Sequence, residues 1–428
     1  MNSVDYVSIK ALANAYVERF VQEYNIKTIS SPCHILFLEN FKANVHAFLN
    51  VFSDFNMQNN IYYSCKANKG KAFLVEASNQ ACGIEVSSIY ELRDALVYTN
   101  KIIASGPAKS VDYLKLAIKN NLIISVDDIS ELKVIASFNL PVKVLIRISN
   151  LMNKVSRFGV QVSSLDDCLE IVKASKIVLL GFSFHINNYL VEERIQAIYK
   201  ILSIVQNEKI KIKYIDIGGG LPVRYCLDND YEQFLCQNNR KMFFSNREIK
   251  DFYPYANKLY GANAFRYILS CVSDILNGIE LIIEPGRILL ADCGISIFNV
   301  YYLKELEHEN VVVTDGNINC LSEQWFNSDY LIEPLLYKET YPHEQEPILA
   351  SVAGNLCLEQ DMITWRKLKF DCRPEYGDKL IYFNTAGYQM DSNESTFHKI
   401  PFVQKYIAIM DERIYLVKDE DYGSKSGT

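Results

Sequence analysis

A repeating alternation constrains this chain most. Between about Tyr62 and Arg287 lie eight short β-rich or apolar runs, most separated by a helical pattern of ten to twenty residues. "NIYYSCKAN" leads into "KGKAFLVEASNQ", "ACGIEVSS" into "IYELRDALVYTN", "KIIASGP" into "VDYLKLAIKNN", and "LIISVDD" into "ISELKVIASF". "VKVLIRIS" stands before a loop, "IVLLGFSFHIN" precedes "VEERIQAIYKILSIVQNE", and "IKYIDIGGG" and "ELIIEPGR" follow. A strand that returns through a helix must pair parallel to its predecessor with a right-handed crossover. Eight such units in about 250 residues fit a closed (β/α)8 TIM barrel, with a doubly wound sheet as the alternative.

After about Ile288 the texture changes to short alternating segments, "ISIFNVYYLKEL", "NVVVTDGN", "KLIYFNTAGY", "YIAIM" and "RIYLVK", which predict a mostly antiparallel β-domain. The early "CHILFLE" reads as a strand returning to it. The expected division is an N-terminal segment, 1–40, contributing to the β-domain; a barrel, 41–290; and the C-terminal β-domain, 291–428.

Bulk properties exclude several classes. With 428 residues and 49% apolar composition, the chain exceeds what one core usually supports. A net charge of −7 without a dense Lys/Arg run argues against nucleic acid as a partner. The 11 cysteines are odd in number and form no CxxC pair or zinc-spaced cluster, so they read as reduced thiols with no metal site. The opening "MNSVDYVSIKALANAYVERF" lacks the basic head and apolar run of a leader, and no stretch approaches the ~18 apolar residues of a membrane span. The expected location is the cytoplasm, without membrane attachment.

In a barrel the chemistry sits at the C-terminal ends of the strands. Several strand runs end in polar residues where packing residues belong: Lys66, Glu85, Arg147, His185, the glycines 218–220, then Glu284 and Arg287. Singly, each has a plain structural use, as a snorkelling lysine, a satisfied core histidine or a flexible turn. Their coincidence at successive strand ends points to a site. Glycines after a strand bare backbone N–H groups to a phosphate, and Arg287 adds charge. A strand-end lysine facing such a cradle suits tethering of a phosphorylated aldehyde cofactor.

At these positions the sequence resembles the fold type III pyridoxal-phosphate decarboxylases, the alanine-racemase-like group that includes ornithine and diaminopimelate decarboxylases. "YYSCKANKG", "FHINN", "IDIGGGLP", "IIEPGR", "GNLCLEQD" and "GDKLIYFNTAGY" match that family's motifs in order. The resemblance implies pyridoxal 5'-phosphate as cofactor, Lys66 as its tether and His185 stacked on its ring. It sets Glu85 near Lys66, Arg147 below the ring, and Asn188, Gly219, Gly220, Gly286, Arg287 and Tyr388 around the phosphate. Glu284 is similar to the carboxylate that bonds the pyridine nitrogen. A carboxylate there makes the ring a strong electron sink and favours decarboxylation, whereas the family's racemases carry an arginine. Cys357 is similar to the proton donor that reaches across a head-to-tail homodimer into the partner's site. A racemase, or a non-catalytic binding protein derived from a decarboxylase, is the competing expectation. The latter is expected to have lost Lys66 or Cys357, and both are present.

The substrate is read from departures. Diaminopimelate decarboxylases place a glutamate after the cysteine; here Leu358 stands there and Glu359 follows. Ornithine decarboxylases use an acidic residue roughly a dozen positions after the "DG" matched by Asp315 and Gly316, for which Glu323 and Asp329 are the candidates. The family's proline after the motif glycine is Asn355, and Asn188 replaces a phosphate-binding serine. The aromatic stretch 224–266 is either a packed helical lid or the wall of an enlarged pocket. With "NTAGYQMDSNESTFHKIP", it is similar to a siderophore-pathway branch acting on citryl-diamino acids. N-citryl-ornithine, or a similar citryl-diamino acid, is thus expected ahead of free ornithine, lysine or diaminopimelate.

Overall fold

The computed structural model describes residues 6–152, 155–321, 323, 328–341 and 346–423. Its strands are β1 (Cys33–Leu36), β2 (Tyr62–Ser64), β3 (Gly83–Val86), β4 (Ile102–Ala104), β5 (Ile123–Val126), β6 (Lys143–Ser149), β7 (Val160–Gln161), β8 (Val178–Ser183) and β9 (Tyr214–Asp216). They continue with β10 (Glu280–Ile282), β11 (Gly294–Glu305), β12 (Asn310–Thr314), β13 (Leu335–Tyr337), β14 (Ile348–Ala353), β15 (Met362–Phe370), β16 (Lys379–Phe383), β17 (Gln404–Met410) and β18 (Ile414–Lys418).

All eight strands anticipated between Tyr62 and Arg287 form one parallel sheet, in the order β2, β3, β4, β5, β6, β8, β9, β10. A parallel bridge between Ile61 and Ile283 closes it, with Tyr62 N–H donating to Ile283 O at 2.9 Å and Ile283 N–H to Asn60 O at 3.1 Å. The fold is a (β/α)8 barrel, not a doubly wound sheet. The runs are short and rich in isoleucine and valine because such strands are covered on both faces.

Strand periodicity makes the barrel interior a packed layer with a polar layer above it. Tyr62, Ile103, Leu145 and Ile282, from four strands, form an apolar cluster of their own. Two residues further along, on the same face, stand Ser64 after Tyr62, Arg147 after Leu145 and Glu284 after Ile282. Glu85, Ser125, Ser183 and Asp216 hold corresponding places on β3, β5, β8 and β9. The serines of β5 and β8 meet, with their Oγ atoms 3.1 Å apart.

The second sheet runs β15, β14, β12, β11, β1, β17, β18, with β16 beside β11 and β13 beside β16. It is mostly antiparallel, although β1 pairs parallel to β17 and β12 parallel to β14. The early "CHIL" strand lies between β11 and β17, so both ends of the described chain contribute to this sheet. The sheet's loops reach the barrel beside Lys66: Asn68 Nδ2 donates to Ala386 O at 2.8 Å, Tyr388 N–H to Ala67 O at 2.8 Å, and Lys69 N–H to Asp391 Oδ2 at 2.8 Å. Among the described residues no helix is long and apolar enough to cross a membrane.

Candidate active site

Lys66 lies in the 3-10 turn Cys65–Ala67 that ends β2. Its Nζ donates to Glu85 Oε2 at 2.7 Å. The lysine side chain is 43% exposed toward the mouth of the barrel, while Glu85 keeps only 1% of its own surface. Burial opposes the lysine's charge, but Glu85, Tyr388 and Glu284 outweigh it and hold its pKa above the ordinary value. Glu85 is likewise opposed by burial, and Lys66 with the hydroxyls of Ser64 and Ser87 brings its pKa below the usual carboxylate range. Ser87 Oγ donates to Glu85 Oε1 at 3.0 Å, and Ser64 Oγ donates to Oε2. The pair is charged, and Lys66 is held at one position.

His185 follows β8 and faces the same mouth. Burial first, then the charges of Lys66, Arg147 and Arg194, push its pKa down to about 3, so the imidazole is neutral. Its Nδ1 accepts the Gly219 N–H at 3.4 Å. Glu284 follows β10 beside Asp216. Burial, then the neighbouring Asp216, raises the pKa of Glu284 well above that of an ordinary carboxylate.

The glycine loop is held by a residue that sequence reading missed. Arg194, fully buried in the helix Val191–Asn207, donates through Nη2 to Ile186 O (3.2 Å), Gly219 O (3.1 Å) and Gly220 O (2.8 Å). Binding these carbonyls from behind fixes the loop's backbone, with the Gly219 N–H turned to His185. Gly220 has φ of +71°, and a Cβ there would fall 2.5 Å from Arg194 Nη2. A Cβ on Gly286 would fall 2.9 Å from Tyr388 Oη, so this side of the cradle is also closed to side chains. Tyr388 itself has φ of +78°, a costly conformation held by its N–H bond to Ala67 O. Asn188 is committed to its own loop, its Oδ1 accepting Leu190 N–H at 3.1 Å and its Nδ2 donating to Glu193.

Arg147 Nη1 donates to Asp127 Oδ1 at 3.3 Å, and its guanidinium lies 4.7 Å from the centroid of Phe158. Arg287 is buried and donates through Nη2 to Glu323 Oε1 at 2.9 Å, lying 3.9 Å over the ring of Tyr253. Glu323 also accepts from Gln389 Nε2 at 3.1 and 3.0 Å and from the Tyr255 hydroxyl. Among the described residues, Arg287 Nη1 and Gln389 Oε1 are buried without a hydrogen-bonding partner. Most of the 224–266 stretch is packing: Tyr231, Phe234, Phe243 and Phe252 are core or pack against it, while Tyr253 and Tyr255 contact the Arg287–Glu323 pair.

The substrate candidates separate. Glu323 reaches the barrel, whereas Asp329 is buried in the β-domain, accepting Trp365 N–H at 3.2 Å and Arg366 N–H at 3.0 Å on β15. Cys357, Leu358 and Glu359 are exposed on the loop after β14, and no hydrogen bond or ion pair ties them to Lys66, His185 or Glu284. That loop is well held. Asp361 accepts Ile318 N–H at 2.8 Å and Leu356 N–H at 2.6 Å, and Asn355 Nδ2 donates to Asp315 O at 2.9 Å. Asp216, Ser64 and Arg194 went unnoticed in the sequence. The first two were legible from strand period, two residues past an inward aromatic, and the third as an arginine on the apolar face of its helix.

These residues fit pyridoxal phosphate: a held lysine, a carboxyl pair, a neutral imidazole, and a glycine cradle that Cβ atoms would fill. The model of the pyridoxal-binding domain of pyridoxal-dependent decarboxylases matches residues 38–291. An uncharacterized protein of Sinorhizobium fredii is 31% identical over 404 residues, covering 89% of this chain and 88% of its own. Diaminopimelate decarboxylase of Campylobacter jejuni is 27% identical over 400 residues, covering 85% and 89%. The crystal structure of diaminopimelate decarboxylase from M. jannaschii shares the fold, with a TM-score of 0.72 at 20% identity over 92% of this chain and 90% of that one.

Proposed function

The chain belongs to the pyridoxal-dependent decarboxylases and is a pyridoxal-phosphate-dependent amino-acid carboxy-lyase, and on that premise we propose that its substrate is a diamino acid acylated on its distal amine, such as N-citryl-ornithine. The carrying observation is the Arg287–Glu323 pair. A free distal ammonium, as in ornithine or lysine, calls for an uncompensated carboxylate, and the distal carboxylate of diaminopimelate calls for an uncompensated cation. Arg287 and Glu323 neutralise each other at 2.9 Å. What remains among the described residues is one donor, Arg287 Nη1, and one acceptor, Gln389 Oε1, whose amide is oriented by its two contacts to Glu323. An amide uses one of each. Leu358, where a glutamate would read a distal amino acid centre, supports the same choice.

Bound through Lys66, pyridoxal phosphate supplies the sink for the electron pair left on Cα when carbon dioxide departs. Glu85 holds Lys66 Nζ in place, and Glu284 offers a carboxyl to the ring nitrogen. Neutral His185 lends an uncharged face for stacking. The N–H groups of Gly219 and Gly220, with Gly286 and the Tyr388 hydroxyl, would hold the phosphate, whereas Arg287, expected beside it, is taken up by Glu323. Cys357 of one subunit supplies from Sγ the proton that replaces the carboxylate in its partner's site, in a cytoplasmic homodimer serving siderophore assembly.

A mass-spectrometric decarboxylation screen over free ornithine, lysine, diaminopimelate and their citryl conjugates tests the reading. Turnover of the conjugates well above the free amino acids is expected. Faster turnover of free ornithine or diaminopimelate would overturn the substrate and leave the decarboxylase intact.

A further inference from the structure

Asp216 is the last residue of β9, fully buried in the polar layer. Its Oδ1 accepts the Gly218 N–H at 2.8 Å and so shapes the glycine loop. Its Oδ2 is equally buried and receives no donor among the described residues. The groups facing it are Glu284 after β10, Glu85 on β3 and Arg147 on β6, and the Tyr62 hydroxyl of β2 senses both Asp216 and Glu284. Lys66 and Glu85 also act on Glu284. Arg147 is bonded to Asp127, and Lys66 to Glu85. The group left within hydrogen-bonding reach of Asp216 is Glu284, which donates only when it carries a proton. Two carboxylates in contact in a dry site do not both ionise.

We propose that Asp216 and Glu284 share a single proton, and that Asp216 is thereby the positioning residue that lets Glu284 present a carboxylate to the cofactor's ring nitrogen. An isolated buried glutamate stays protonated and offers a hydroxyl instead. With Asp216 alongside, the proton crosses from Glu284 to Asp216 Oδ2 when a ring N–H arrives. Charge settles on Glu284, and no proton enters or leaves the pair. Burial raises Asp216 to about 7 and lifts Glu284 well above the usual carboxylate range, in line with one proton retained between them at neutral pH.

Infrared spectroscopy of the full-length apoprotein in D2O at pH 8 reads the shared proton. There the buried Asp292 and Asp329, raised only to about 6, are ionised and do not contribute. The wild type should show the carbonyl stretch of a protonated carboxyl. Both E284Q and D216N should abolish it, the latter because its amide donates to an ionised Glu284 and removes the neighbouring charge. A band absent from wild type, or surviving in either variant, overturns the proposal. Titration with pyridoxal phosphate reads the positioning. D216N, which still caps Gly218, should bind within about threefold of wild type, and D216V roughly tenfold more weakly, the usual cost of a lost supporting residue. Equal affinity of D216V and wild type overturns the positioning role.

Discussion

Arg194 Nη2 donates to the carbonyl of Gly219 at 3.1 Å and to that of Gly220 at 2.8 Å, from a side chain with no exposed surface. The glycine loop is therefore not a flexible turn. The carbonyls of Gly219 and Gly220 are tied to the helix Val191–Asn207, while the Gly218 N–H is taken by Asp216 Oδ1 and the Gly219 N–H by His185 Nδ1.

Arg194→Leu leaves those carbonyls buried without donors, at about 1 to 3 kcal/mol for each unpaired group. Urea unfolding should show a loss of about 3 kcal/mol or more, and affinity for pyridoxal phosphate should fall by roughly tenfold. A variant as stable as wild type with unchanged affinity would show that the loop holds itself.

Glu323→Gln removes the charge that neutralises Arg287. The freed guanidinium should admit a distal carboxylate, so turnover of diaminopimelate relative to the citryl conjugate should rise by on the order of tenfold, the effect of about 1.4 kcal/mol. Carbon dioxide release from the paired substrates measures it. An unchanged ratio would mean that the pair does not set specificity.

His34 gives a pH prediction with a definite sign. It is fully buried on β1, its Nδ1 2.8 Å from Ser296 Oγ, and burial followed by the charge of Lys405 holds its pKa down to about 3. Between pH 7 and 5 the unfolded chain takes up a proton on this histidine near 6.5 and the folded protein does not, so the folded state loses about 2 kcal/mol from this group as pH falls. Carboxyl titrations common to both proteins cancel on comparison with His34→Gln. The stability gap between wild type and variant should shift by about 2 kcal/mol in the variant's favour from pH 7 to 5, and a constant gap by urea unfolding refutes it.

Lys66→Ala and Cys357→Ala should each be inactive, with Cys357→Ala still binding cofactor. If sites are shared across a homodimer, mixing and exchanging the two variants should restore about a quarter of wild-type activity, because half the dimers are mixed and each has one complete site. A mixture as dead as its parents places the thiol and the lysine outside a common site.

Much of this architecture is legible along the chain. Strand runs and helix periods are local, so the eight barrel strands and their order of use follow from residues a few positions apart. Polar residues at strand ends, Lys66 and Glu284 among them, break the apolar pattern where the barrel has its mouth. The β-domain was less legible: β13 is only three residues long, β14 and β15 pair with shifts in register, and the parallel pairing of β1 with β17 joins segments from opposite ends of the chain.

Sequence by itself determined the eight alternating units, the strand-end constellation and the family resemblance, and the Ile61–Ile283 bridge decided for a closed barrel over a doubly wound sheet. Tertiary structure decided which charge meets which. Arg287 faces Glu323, Asp216 faces Glu284, Arg194 grips the glycine carbonyls, and Asp329, as acidic as Glu323, spends its oxygens on the backbone of β15. Periodicity tells which face a side chain takes, since that depends on neighbours in the chain. A partner across the site is set only when the barrel closes and the β-domain docks, because charge pairing in a dry interior depends on distances between elements that no local pattern encodes.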